Sequence, residues 1–374
     1  ADFEPFFGVN LILGDNAQGK TNLLEALHVC LTGRSFRTQR DSEMVRWGES
    51  GYLVKGRVVR NETAISTEVM FDETSGRKIR LNGVANKTVF DMPGFGGAVV
   101  FSPEDVGIVG GAPVRRRRYL DSILIRTRPH YRYHLLRYSK VLLQRNSLLK
   151  NIKGSRKGGE NLSVWDEQLI RVGLWVMEKR MRALSNLSDL VEEIYYNISG
   201  GGSLELEYEP SVTGPLEADE EGVQAAFRRL LEGNRNDEIE RGVTLFGPHR
   251  DDFALKVDGV DIRVYGSKGQ QRAAAIALKL AELEFLKKES GENPVLFFDD
   301  ILSELDEKRR RLLLQSLHKC DQTFIAATEV PHHLCKALTL DYRIFRVTKG
   351  QIGEDVLPSS NGGGEFGRAC ENGP

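Results

Sequence analysis

The sequence predicts an α/β fold: a parallel sheet covered by helices, with antiparallel β hairpins and an inserted α-helical lobe. Three observations predict it. An apolar strand at Val9 to Leu13 runs through a glycine-rich turn into a helical pattern. Strand and helix patterns alternate from residue 269 to residue 348, the spacing of a parallel sheet with helices packed on it. Between these ends, to about Ile198, apolar residues recur at helical spacing, so the helical middle is an insertion between two halves of one domain.

Composition sets the frame. With 374 residues, 40% hydrophobic and 28% charged, the chain can bury a large core in one or two domains. Cys30, Cys320, Cys335 and Cys370 show no paired metal-ligand spacing, and neither a signal peptide nor an apolar run near membrane-spanning length is visible. A reducing, cytoplasmic home and no membrane partner are expected. Net charge is only −1, so any case for nucleic acid rests on how charge is distributed. From Arg115 to Lys157 there are fourteen Lys or Arg and one acid, Asp121, whereas Glu205 to Glu221 is acid-rich and lacks Lys and Arg. The chain begins without Met and reaches its first strand almost at once, which leaves room for a leading strand upstream. From Pro358 the sequence reads as a linker or cloning scar and is set outside the fold.

Each element has its own signal. After the first strand, Leu23, Leu24, Ala26, Leu27, Val29, Cys30 and Leu31 define a helix. From Gly51 to Val100, alternating β-branched residues with turns at 60–62, 75–76 and 82–83 predict antiparallel hairpins. After Pro129, Tyr131, Leu135, Tyr138, Leu142, Leu149 and Ile152 form a helical stripe that Arg145 interrupts, with Arg137 and Lys140 pointing away from it. A second helix spans Val164 to Leu190 after the Lys/Gly-rich turn at 153–159, and a short β and acidic segment leads to Arg241. Strands return over Phe253 to Val264. Helix 269–289, strand 294–298, helix 305–319, strand 323–327, helix 332–338 and strand 342–348 follow. The division expected is 1–118 and 242–357 for the two halves of the sheet-bearing lobe, 119–241 for the helical lobe and 358–374 for the tail.

Gly14-Asp15-Asn16-Ala17-Gln18-Gly19-Lys20-Thr21 fits the phosphate-loop pattern G-x-x-x-x-G-K-[ST], placed as its mechanism needs between a strand and a helix. The glycines let successive N–H groups and the helix N-terminus face phosphates. Lys20 would reach the β and γ phosphates of ATP, and the Thr21 hydroxyl would ligate Mg²⁺. A chance glycine turn is the bland alternative, disfavoured by the flanking elements. The partner acid is expected at the end of a buried parallel strand, and Val295 to Phe298 supplies that strand, followed by Asp299 and Asp300. Asp299 would bind Mg²⁺, directly or through water; Asp300 would orient or deprotonate the attacking water.

Ser267-Lys268-Gly269-Gln270-Gln271-Arg272 opens an apolar helix. Ser267 and Gln270 also fit an ordinary capping box. In ABC-type ATPases a Ser-x-Gly-Gln sequence here contacts the γ-phosphate held by a second subunit. The functional reading is therefore an ABC-type P-loop ATPase domain in which Ser267, Gly269 and Gln270 join the nucleotide site of another copy.

With Asn22-Leu23-Leu24-Glu25-Ala26, Phe101-Ser102-Pro103-Glu104-Asp105, the run Arg115 to Arg118 before Tyr119-Leu120-Asp121, Gly247-Pro248-His249-Arg250-Asp251-Asp252 and Gly269-Gln270-Gln271-Arg272, the chain resembles the RecF family from about Val9 to Val347. That resemblance implies an ATPase that dimerises with ATP, binds DNA, and acts with RecO and RecR to place RecA on gapped DNA. It also implies that Ser303-Glu304-Leu305-Asp306 lines the dimer interface. Thr328 stands where many relatives have a γ-phosphate-sensing His, the nearby histidines being His332 and His333. Asp300 replaces the Glu of transporters, and no clear Gln lies near Ser102. Slow, weak hydrolysis is expected from these departures.

The basic segment is the candidate DNA surface. Arg115 to Arg118, Arg126, Arg128, Arg132, Arg137 and Lys140 are expected to track phosphates, with Tyr131, Tyr133 and Tyr138 interleaved. Against this stands a solvated helix face, with the four-arginine run partly pairing with carboxylates. No base-reading motif is present, so binding independent of sequence is expected. The rival function is the ATPase subunit of a membrane transporter, which the hairpins and the basic insertion disfavour.

Overall fold

The computed structural model describes residues 1–60, 62–86, 88–92, 96–128, 130–155, 161–213, 220–329 and 341–355. Contacts gather these into two units, residues 1–103 with the segment from Leu286 onward, and residues 104–285. The sequence division at 118/119 and 241/242 does not follow these units. Residues 104–118 and 242–285 group with the helices because one helix, Pro113–Thr127, runs across the 118/119 boundary, the strand Asp252–Val257 pairs with the strand Leu204–Glu209, and the Tyr119 hydroxyl donates to the Leu278 carbonyl at 2.7 Å.

The first unit is built on six strands, β1 (Val9–Leu13), β6 (Ala98–Phe101), β10 (Val295–Asp299), β11 (Thr323–Ala327), β12 (Tyr342–Thr348) and β13 (Gln351–Asp355). Their order is β13-β12-β1-β11-β10-β6, parallel throughout except for the β12–β13 hairpin. All five residues of β1 are buried, as a central strand covered on both faces requires. Ile12, Phe297 and Phe324 interlock with Leu24 and Leu31 of α1 (Lys20–Thr32). Burying each such side chain contributes about 2 kcal/mol.

A second, antiparallel sheet orders β2 (Gly51–Arg60), β3 (Thr63–Asp72), β4 (Gly76–Leu81) and β5 (Val84–Asn86), the hairpins the sequence predicts. Asn82 and Gly83 both take positive φ (50 and 78), the two-residue turn that matches strand twist. One face packs on α1 through Val29, Val69 and Ile79. Gly56 permits this approach, since a β-carbon there would meet the Cys30 sulfur at 2.2 Å.

The second unit carries α2 (Val106–Gly110), α3 (Pro113–Thr127), α4 (Tyr131–Ser155), α5 (Leu162–Ser199), α6 (Glu220–Gly233) and α7 (Arg235–Arg241). It also holds a sheet of β7 (Leu204–Glu209), β8 (Asp252–Val257) and β9 (Val260–Asp261), followed by α8 (Lys268–Ser290) as far as Phe285. Tyr131, Tyr138, Leu169, Val176 and Phe227 form its core. Helix α5 is longer at both ends than the sequence predicts, stopping at Gly200 in the left-handed conformation (φ 81). Helices α6 and α7 occupy what the sequence presents only as an acidic lead to Arg241.

Three further expectations change. Arg145 does not interrupt the α4 stripe; it lies within it, with no exposed side-chain surface, because Asp166 and Glu238 neutralise it there. The helix expected over 305–319 is α9 (Glu307–Gln315) between two 3-10 turns, its start capped by Asp306 accepting from the Arg309 N–H. β13 is additional. The expected helix 332–338, with His332 and His333, and the tail from Pro358 lie outside the described residues. Among the described residues no helix is long and apolar enough to cross a membrane.

Candidate nucleotide site and basic surface

The strand register explains the site. Strand β11 lies between β1 and β10, with Ala326 opposite both Ile12 and Asp299, so β1 and β10 end at the same edge of the sheet. Ligands bind at the carboxyl edge of parallel strands, where loops and helix N-termini converge. Residues 14–19 must turn the chain there from β1 into α1, and Ala17 (φ 62) and Gly19 (φ 105) do so in the left-handed region. Gly14 is needed for space, since a β-carbon would stand 2.4 Å from the Val347 carbonyl oxygen.

Lys20 is buried, and its Nζ donates to the carbonyls of Gly14 at 2.7 Å and Asp15 at 3.0 Å. An ammonium has three donors, so one remains for a phosphate oxygen. The Thr21 hydroxyl donates to Asp299 Oδ1 at 2.7 Å. That hydroxyl and carboxylate form a hard oxygen pair at the first turn of α1, suited to Mg²⁺, which takes few protein ligands and keeps several waters. Asp15, Asn16 and Ala17 are exposed on the loop, open to a triphosphate. The residues present therefore fit ATP with Mg²⁺.

Asp300 follows as the first residue of the turn after β10. It is half-buried and left-handed (φ 53), and its carbonyl accepts from Ser303 Oγ at 2.7 Å. A non-glycine residue in that region carries strain of about 1 kcal/mol or more, of the kind that gathers at functional sites. Thr328 is exposed immediately beyond β11.

In the second unit, Ser267 and Gln270 form the capping box in full. The Ser267 N–H donates to Gln270 Oε1 at 2.9 Å and the Gln270 N–H to Ser267 Oγ at 3.2 Å. Both side chains stay exposed at the start of α8, with Gly269 half-buried between them, while Ala273 to Ala281 are buried. The cap thus forms without burying either side chain.

The basic segment divides. Arg116 is buried: its Nε and Nη2 reach Asp252 at 2.7 and 2.8 Å, and its Nη1 donates to the carbonyls of Val109 and Gly111. Arg117 donates to the Asp251 carbonyl, and Arg126 pairs with Glu282. Arg116 and Arg126 serve the fold, because a charge taken out of water needs a partner. Tyr131 and Tyr138 are core residues as well, leaving Tyr133 exposed. Arg132 and Arg137 are half-buried and Lys140 exposed.

The segment from Gly247 to Asp252 is a buried polar hub. His249 Nε2 donates to the Thr244 carbonyl at 3.1 Å, so its Nδ1 accepts from the Tyr138 hydroxyl at 2.6 Å. Burial holds its imidazole down at about 4. Arg180 grips Asp121 and the Pro248 carbonyl, and Asp251 accepts from Tyr208 and from the Ser211 N–H.

One feature of the nucleotide site has little sequence signal. The β12–β13 turn, Lys349-Gly350, touches the phosphate loop at Gln18, and only the Gly350 in a two-residue gap between strand-like runs hints at it.

A glycine-rich loop between β1 and α1, a buried lysine, and a threonine bonded to the acid ending a neighbouring parallel strand define a P-loop nucleoside-triphosphatase. A family model described as an AAA domain matches residues 1–191. The DNA replication and repair protein RecF of Halothermothrix orenii is 40% identical over 92% of each chain. The solved structure of the recombination mediator protein RecF-ATP in the RecFOR pathway superposes with a TM-score of 0.84 at 36% identity, over 95% of this chain and 92% of that one. The chain belongs to the RecF family of DNA replication and repair proteins. The Smc head domain of Pyrococcus furiosus, at 16% identity and a TM-score of 0.50 over 94% of this chain and 90% of that one, shares the fold alone.

Proposed function

We propose that this protein is an ATP-dependent DNA-binding protein of recombinational repair, which dimerises on ATP as a clamp on DNA and helps load recombinase at gaps with RecO and RecR. The observation that carries it is the Lys20, Thr21 and Asp299 constellation in a chain of this family. Lys20 donates its remaining N–H to the triphosphate, the loop N–H groups and the α1 N-terminus hold the phosphates, and Thr21 with Asp299 would hold Mg²⁺. Asp300 orients the attacking water. Mg²⁺ supplies charge neutralisation between the phosphates when bound.

Ser267, Gly269 and Gln270 meet the nucleotide of the second copy, so ATP favours the dimer by its differential affinity. Hydrolysis is slow and serves as a conformational switch. Arg132, Arg137 and Lys140 on α4 contact the DNA backbone without regard to sequence. Family membership decides against the transporter subunit. The test is sedimentation of the protein and of Ser267→Arg, with and without ATP and Mg²⁺, repeated with a short gapped duplex. ATP should dimerise only the unmodified protein and tighten its hold on DNA; ATP binding without dimer or DNA would end this reading.

A further inference from the structure

A two-residue hairpin turn leaves its two central N–H groups without partners in its own ladder, because the flanking pair, here Thr348 and Gln351, closes the hairpin. In the β12–β13 turn both central residues take positive φ, Lys349 at 51 and Gly350 at 77. Both free donors go to one residue of the phosphate loop. The Lys349 N–H donates to Gln18 Oε1 at 2.7 Å, and the Gly350 N–H donates to the Gln18 carbonyl at 2.9 Å. Close packing seals the contact: a β-carbon on Gly19 would lie 3.5 Å from the Gly350 Cα, and one on Gly14 would strike the Val347 carbonyl.

We infer that Gln18 is a positioning residue: by accepting both turn donors it clips the β12–β13 hairpin to the outer side of the phosphate loop and holds the loop in its phosphate-binding shape. Gln18 sits one residue before left-handed Gly19 and two before Lys20, so its peptide orientation sets where the next N–H groups and the Lys20 stem begin. The side chain occupies a position the phosphate-loop pattern leaves open to any residue, and an acceptor there is what this hairpin requires. The hairpin thus becomes a lever on the nucleotide site: displacing it frees the loop, and a filled site holds it down. This rests on the ATP reading of the site.

The test uses the full chain. Gln18→Met keeps the shape of the side chain and removes its acceptor. In Gln18→Met the ATP dissociation constant and KM should rise about fivefold, the scale of one lost hydrogen bond, with kcat within about twofold. In the unmodified protein the Lys349 and Gly350 amide hydrogens should exchange slowly, and more slowly with ATP. Unchanged ATP affinity in a folded Gln18→Met, or unprotected Lys349 and Gly350 amides in the unmodified protein, would overturn the clip. Absence of ATP binding by the unmodified protein, with those amides protected, would instead remove the nucleotide reading and with it the positioning role.

Discussion

Arg145 and Glu238 meet at 2.6 Å with neither side chain exposed to solvent. The same guanidinium reaches Asp166 at 2.7 Å and the Thr244 hydroxyl at 2.8 Å, and Glu238 also accepts from the Leu245 N–H. This network ties α4, α5, α7 and the segment after α7 together. Removing one member strands buried charge on the others, so Arg145→Leu should destabilise the fold by about 3–5 kcal/mol in urea unfolding. A loss below about 1 kcal/mol would show that the network is not closed in solution.

His249 predicts an acid-sensitive window. Its folded value of about 4 lies below its ordinary 6.5, because burial penalises the charged ring and the nearby Arg250 and Arg117 add to that penalty. The stabilisation is therefore complete above about pH 6.5, falls between pH 6.5 and 4, and is lost below. Its ceiling is about 3 kcal/mol. His249→Gln should flatten the dependence of the melting temperature on pH across that window; an unchanged slope would place its origin elsewhere.

At the nucleotide site, Lys20→Ala should weaken ATP binding at least about tenfold, since a charged hydrogen bond to phosphate contributes about 1.5–3 kcal/mol. Asp299→Asn should spare metal-free nucleotide binding and remove most of its strengthening by Mg²⁺. Calorimetric titration with and without Mg²⁺ separates the two, and a Mg²⁺ effect that survives in Asp299→Asn would exclude that carboxylate as a ligand.

For the basic surface, Arg137→Glu together with Lys140→Glu should lower DNA affinity and make the slope of log K against log salt shallower by about 2, following about 0.9 per phosphate contact. ATP affinity should not change. An unaltered salt slope would move the DNA surface off α4.

Much of this was local and therefore legible. The phosphate loop, the apolar strand ending in Asp299, the β2–β5 hairpins and the alternation after residue 269 each write their chemistry or periodicity into a short stretch, because turns, pleats and helical faces are set by neighbouring residues. The partners of charged residues were not legible. Arg116 and Arg126 sit in a basic run that offers both a DNA surface and, for Arg115 to Arg118, partial pairing with carboxylates; only the fold names the partners, Asp252 and Glu282, 136 and 156 residues away. Arg145 read as a break in an apolar stripe and is the centre of a buried network. Gln18 filled an unconstrained position in a motif until a hairpin 331 residues distant supplied its donors. The sequence by itself determined the nucleotide-binding chemistry and the strands and helices that carry it. Only the tertiary structure decided which polar side chains serve the fold and which face solvent, because burial makes an unpaired charge too costly to leave and its partner is chosen by packing.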